Sequence, residues 1–230
     1  MDTQIYAVLT GDLVKSTNLS SEASTEAMEW LRKAALEFTE IYPKSMVGQL
    51  DTFRHDSWQM LMSQPKLAFR AACFLRASLR QHSDREQKFD TRISIGIGRV
   101  ETIAQGRISD SRGAAFTASG KGLDAMKHDR LAFVGTELSN VFHAETAKVV
   151  MALLDCVISD WTSRESQAVC GALQRWTQAT IAENWHLNPK RITHITRQAV
   201  GLSLDRAHWR VVEETLKWLE VSMEKSQELA

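Results

Sequence analysis

From Ile93 to Gly98 the chain reads Ile-Ser-Ile-Gly-Ile-Gly. A two-residue period puts every isoleucine on one face of an extended backbone, so Phe89 to Val100 is predicted as a strand with one buried face. Such a strand needs sheet neighbours and something laid on its apolar side. The preceding residues supply both. Ile5 to Thr10 is a short apolar run that stops at Gly11-Asp12, as a buried strand ending at a turn would. Ser20 or Ser21 can cap a helix running to about Tyr42, with Met28, Leu31, Ala35, Phe38 and Ile41 at helical spacing and Pro43 as its stop. Strands are predicted over Met46 to Phe53 and Trp58 to Met62, joined by Arg54-His55-Asp56-Ser57. A second helix starts near Pro65 and turns Leu67, Ala71, Phe74, Leu75 and Leu79 inward.

Beyond the isoleucine strand, a Gly- and Ser-rich loop leads to a third helix from about Gly113 to Met126. A short strand follows at Leu131 to Val134, then a long helix from Glu137 to about Ser159. The order is β-α-β-β-α-β-α-β-α. Its first six elements match a ferredoxin-like arrangement, an antiparallel sheet backed by two helices, so the fold class is α+β. From Asp160 to Arg164 the pattern becomes all-helical, which divides the chain into residues 1–160 and 161–230.

Composition excludes several function classes. The 28 basic and 28 acidic side chains cancel, so no global field draws this chain onto nucleic acid, and any DNA affinity must be local. No apolar run approaches the roughly 20 residues of a membrane span, and Met1-Asp2-Thr3-Gln4 has no basic leader character. A cytoplasmic location without a membrane partner is expected. Cys73, Cys156 and Cys170 lack metal-type spacing and read as small buried hydrophobes of a reducing compartment. Trp30, Trp58, Trp176 and Trp209 read as packing residues.

Residues 177–199 have the pattern of a helix-turn-helix. Ile181, Ala182 and Trp185 make the inner stripe of a first helix, and Leu187 plugs the turn. Asn188 is a good N-cap and Pro189 a good first residue for a second helix to Ala199, with Ile192, Ile195 and Ala199 inside. Lys190, Arg191, Thr193, His194 and Arg197 remain exposed, and no acid lies between Asn188 and Ala199. A recognition helix needs such donors for phosphates and base edges. Residues 161–210 carry seven basic side chains against three acidic ones, a local positive excess. The alternative is a structural helical hairpin with a solvated basic face. His186 stands where a left-handed turn residue would favour glycine. Leu216, Leu219 and Met223 suit a last helix docking on the protein or on a second copy.

Two aspartates mark a second candidate site. Asp12 lies at the end of the first strand and Asp56 in the turn between the second and third. In the predicted sheet the first strand lies beside the third, so the carboxylates could converge on one edge and share a divalent cation. The following residues, Leu13, Lys15, Ser16 and Thr17, form a turn of the type that aims backbone N–H groups at phosphate. Aspartates are also common in turns for structural reasons alone.

Gly11-Asp12-Leu13-Val14-Lys15-Ser16-Thr17 resembles the Asp-Ile-Val-Gly-Ser-Thr segment of class III nucleotidyl cyclases. His55-Asp56-Ser57 and Arg92 to Val100 fall where those enzymes have a Gly-Asp turn and a later Arg-Ile-Gly-Ile-His strand. The chain is more similar still to the SatD family: Gly-Asp at the start, Gly96-Ile97-Gly98 in the middle, Gly113-Ala114-Ala115-Phe116 before a helix, and Trp161-Thr162-Ser163-Arg164 ahead of a helix-turn-helix. The resemblance implies a nucleotidyl cyclase-like domain with Asp12 and Asp56 on Mg²⁺ or Mn²⁺ beside a nucleotide. It also implies an altered active site. The asparagine and arginine that act on the transition state fall on Thr117 and Lys121, the purine-reading lysine on about Thr52, and the glycine before the second aspartate on His55. Lys121 keeps a charge but lacks the planar fork of Arg.

These readings describe a DNA-binding regulator, homodimeric on two half-sites, whose degenerate cyclase-like domain senses a nucleotide or phosphate ligand. The alternatives are an active nucleotidyl cyclase or other metal-dependent nucleotide enzyme with an accessory helix-turn-helix, and an assembly module without ligand.

Overall fold

The computed structural model describes residues 4–135, 144–185 and 195–228. β1 (Ile5–Leu13) leads through a single 3₁₀ turn (Ser16–Asn18) into α1 (Ser21–Ile41), β2 (Met46–Phe53), β3 (Ser57–Met62), α2 (Ala68–Arg80) and β4 (Thr91–Thr102). These strands lie in the order β2-β3-β1-β4, each antiparallel to its neighbour. The expected antiparallel α+β sheet is present. Two strands extend it beyond β4: β5 (Arg112–Gly113) pairs antiparallel near Val100, and β6 (Leu131–Gly135) pairs parallel with Ile93 to Ile97. The helices α3 (Ala114–Ala125), α4 (Ala144–Asp160), α5 (Ser163–Leu173), α6 (Gln178–Glu183), α7 (Arg197–Arg206) and α8 (Trp209–Glu228) complete the described chain.

The side-chain alternation of β1 and β4 sorts the helices onto two faces. Ala7, Leu9, Leu13, Ile93, Ile95 and Ile97 join the core built with α1 and α2. Tyr6, Val8 and Leu61 point to the opposite face, where Ala115 and Phe116 of α3 cover them. The glycines and serine of the isoleucine strand serve this second face. A Cβ on Gly96 would come within 2.3 Å of the Ala115 carbonyl oxygen and 2.4 Å of the Ser119 nitrogen. Only a bare backbone admits α3 so close. Ser20 starts α1 by accepting a hydrogen bond from the Ala23 N–H at 3.2 Å, as an N-cap should.

Charge is also built into the interior. Arg76 of α2 is fully buried and donates to Asp90 (3.0 and 2.8 Å) and to Asp155 of α4 (2.6 Å). Arg80 adds a 2.8 Å contact to Asp90 and also donates to the Trp161 carbonyl. Burial alone would raise the Asp90 carboxyl, but Arg76 and Arg80 hold it below the usual range. A desolvated cluster of this kind stands only while every partner is in place.

One hydrophobic cluster runs from the sheet through α1 and α2 to Leu173, Leu204, Leu216, Leu219 and Met223. α8 is tied to α2 by the Arg70–Glu220 ion pair and to the turn before α2 by Lys66–Glu224 at 2.6 Å. The Trp161 indole N–H donates to the Ala207 carbonyl at 2.9 Å. The expected division at Asp160 coincides with the α4–α5 junction, where Thr162 and Glu165 form a reciprocal capping box, and the cores on its two sides are continuous.

Four sequence expectations are corrected. β1 does not stop at Gly11-Asp12 but continues to Leu13, because Asp12 has strand partners on both sides, Ser57 and Arg92. Cys156 is exposed, unlike buried Cys73 and Cys170. Trp176 is 38% exposed rather than packed. A continuous helix from Asn188 to Ala199 is excluded at its C-terminal end. Thr196 is extended (φ −86°, ψ 155°) and caps a new helix by accepting from the Ala199 N–H. Residues 186–194 lie outside the described part, as does the start of the expected helix at Glu137. No helix among the described residues is long and apolar enough to cross a membrane.

Candidate functional site

Asp12 lies in a row across the sheet, with Ser57 of β3 on one side and Arg92 of β4 on the other. The residue before it explains the local packing. Trp58 lies over Gly11, where any Cβ would meet the indole at 2.4 Å, and its N–H donates to Thr91 Oγ1 at 3.0 Å. Alternation then turns Asp12 to the opposite face, the one α3 covers.

On that face Arg92 covers Asp12. Its Nε donates to Oδ1 at 2.8 Å and its Nη2 to Oδ2, a bidentate fork. The Nη1 donates at 3.3 Å to the Met126 carbonyl, which caps the C-terminal end of α3, where the helix dipole favours a cation. The hydrogen bonds from Asp12 raise the Arg92 guanidinium pKa. Burial opposes this, and the charges of Asp12, Asp124 and Asp56 reinforce it. Both side chains are largely screened, Arg92 at 29% and Asp12 at 18% exposure.

Asp56 sits beside this pair in the β2–β3 turn. Its Oδ2 accepts from Ser16 Oγ at 2.6 Å and its Oδ1 from Ser57 Oγ at 3.2 Å. Its main-chain carbonyl accepts the Leu13 N–H at 2.9 Å. The turn after β1 and the β2–β3 turn are therefore stitched together. Each holds a cation in the left-handed region, Lys15 at φ 53° and Arg54 at φ 60°, a conformation that costs energy for a residue with a Cβ. Left-handed Lys15 followed by the 3₁₀ turn at Ser16–Asn18 has the form of an anion-accepting nest. Lys15 and Thr17 are exposed and Ser16 is half-buried.

The sequence-derived residues divide accordingly. The structure brings together Asp12, Asp56, Ser16 and the main chain at Leu13. Leu13 itself is corrected as a ligand contact: its side chain is in the core and its N–H already serves Asp56. Thr117 and Lys121 lie one turn apart on the exposed face of α3, and among the described residues neither hydrogen-bonds to the Asp12–Asp56 edge. Lys190, Arg191, Thr193 and His194 are outside the described residues. Arg197 is exposed at the first position of α7. Sequence reasoning missed Arg92 and Asp124 as members of the site. The alternation that predicted β4 already placed Arg92 opposite the isoleucines, and Asp124 follows Thr117 and Lys121 at helical spacing.

As arranged, these residues do not fit a divalent cation. Both Asp12 oxygens are taken by a guanidinium, and each Asp56 oxygen accepts a serine hydroxyl. Among the described residues no three His, Cys, Asp or Glu side chains converge as metal ligands. What the site offers instead is positive charge and N–H donors flanking two engaged carboxylates.

No protein-family model matches the chain. No curated protein sequence matches it either. Among solved structures, the crystal structure of the guanylyl cyclase Cya2 superimposes on 54% of this chain and 71% of that one, with 17% identity and a TM-score of 0.41. A likeness that slight leaves activity undecided.

Proposed function

We propose that this chain is a DNA-binding regulator of the SatD type, whose sheet domain senses a phosphate-bearing ligand such as a nucleotide and does not turn it over. The observation that carries this reading is the Arg92 fork on Asp12. A carboxylate held by a guanidinium is neutralised and cannot readily serve a metal-dependent transition state. A phosphate, by contrast, can bind directly to cations and main-chain donors. Lys15, Ser16 and Thr17 supply the anion contact at the β1 turn, and Thr117 and Lys121 form the second contact on α3. Mg²⁺ or Mn²⁺ would have to displace Arg92 before Asp12 and Asp56 could hold it.

The DNA-reading part is assigned to Lys190, Arg191, Thr193, His194 and Arg197. Exposed Arg197 at the start of α7 supports it, since helix N-termini and arginines are common phosphate contacts. With few cations per copy, a homodimer on two half-sites is the binding unit.

The test has two arms. Thermal unfolding is measured with ATP, GTP and pyrophosphate, with and without Mg²⁺; a ligand at 100 times its Kd should stabilise by about 2.7 kcal/mol. Anisotropy titrations on the chain's own upstream DNA, at two salt concentrations, compare wild type with a Lys190/Arg191/Arg197 triple-Ala variant. Absence of any nucleotide effect would sink the sensor half. Equal DNA binding by both proteins would sink the DNA half. Cyclic product abolished by Asp12→Asn would replace sensing with catalysis.

A further inference from the structure

A cleft of about 620 Å³ opens between α1 and α2 on one side and α5 and α6 on the other, on the far face of the sheet from α3. That volume lies in the range of small-molecule sites. We propose that this cleft binds a small organic amine, one ammonium group carried on an aromatic or apolar body. The assignment is independent of the phosphate site proposed at β1.

The chemistry of the lining selects this class. Gln167 of α5 lines the cleft, is 91% buried, and its Oε1 has no hydrogen-bond partner. A buried acceptor left in that state costs about 1–3 kcal/mol, so the site asks for a donor. The neighbouring polar groups do not provide one, because Ser78 and Cys170 engage each other at 3.2 Å. Glu37 and Glu40 of α1 add two carboxylates. Burial raises the Glu37 pKa, and its only cation nearby, Lys33, is 3.8 Å away and 76% exposed. Two carboxylates and an orphan carbonyl thus face one solvated ammonium. An anionic ligand would be repelled, and a cationic donor would complete the set.

The apolar part of the ligand has a place as well. Trp176 is 38% exposed in the cleft wall, and Trp30 presents an indole braced on its other side by stacking with His82 at 3.8 Å. Indole faces attract ammonium groups and cover flat apolar bodies. Ile181 and Asn184 of α6 close the opposite wall, so an occupant touches both the helices backing the sheet and the helical region.

The probes are 2-phenylethylamine, 2-phenylethanol and 3-phenylpropionate, matched in body and different in head group. Binding to the full chain is measured by saturation-transfer NMR and by thermal shift. The amine should bind saturably at least about tenfold more tightly than the alcohol, and the acid should not bind. Gln167→Met and Glu37→Gln should each weaken the amine severalfold. Asp12→Asn should leave it unchanged, which separates this site from the phosphate site. If Gln167→Met unfolds, Glu40→Gln on the surface of α1 replaces it. Equal binding of the three probes, no saturable binding of the amine, or full affinity in Glu37→Gln would overturn the proposal.

Discussion

Arg92 and Asp12 are register partners on adjacent strands, and the guanidinium of the first covers both oxygens of the second. Asp12 therefore behaves as the anchor of β4 and α3, not as a free ligand. Arg92→Gln should lower stability by about 1–2 kcal/mol, because a charge-assisted fork is lost at a half-buried position. It should also free Asp12. Mg²⁺ should then raise the unfolding temperature of Arg92→Gln more than that of wild type. An identical Mg²⁺ response in both proteins would show that Arg92 does not guard the carboxylate.

The close approach of α3 to β4 gives a second expectation. Gly96→Ala should cost about 1–3 kcal/mol, since its Cβ would strike main-chain atoms of Ala115 and Ser119 that cannot rotate away. Hydrogen exchange should accelerate in α3 before it does in α1. Uniform acceleration across both helices would contradict the two-face packing.

The interior charges predict an acid response. Asp90→Asn should destabilise by about 3–5 kcal/mol at neutral pH, because fully buried Arg76 loses part of its compensation. The folded carboxyl of Asp90 titrates below its unfolded value, so its contribution is fully present above about pH 4 and is lost as pH falls through the lower folded value. Urea unfolding at neutral pH and at about pH 3 should show the gap between wild type and Asp90→Asn narrowing in acid. A constant gap would refute the linkage.

Thr196 tests the helical region. Thr196→Ala removes the N-cap of α7 and should cost about 1 kcal/mol, felt first as faster exchange in the Ala199 and Val200 amides. Unchanged protection there would mean that α7 is held by packing alone.

Much of the sheet was legible because β1 to β4 carry strong periodicity and their connecting helices carry clean caps and stops. Ser20, Pro43 and the Ile93–Gly98 alternation each had one physical reading. The site was legible only in part. Asp12 and Asp56 could be placed on one edge from strand order, but Arg92 became their partner through register, which a single sequence does not display. The second half of the helix-turn-helix was misread at Thr196, because apolar spacing through Ile195 and Ala199 continues across a residue whose hydroxyl instead starts a new helix. Cys156 and Trp176 were misassigned for a related reason: apolar character does not say which side of a helix faces out.

The indole N–H of Trp161 bonded to Ala207, and the Trp161 carbonyl bonded to Arg80, clasp the chain's two halves at their junction. A protein built this way has no modular seam. Its halves should melt in one calorimetric transition, and residues 1–160 alone would expose the apolar side of α2 that α5 and α8 now cover. Any strain applied at one end of the chain is then shared with the other through rigid packing, with no linker to absorb it.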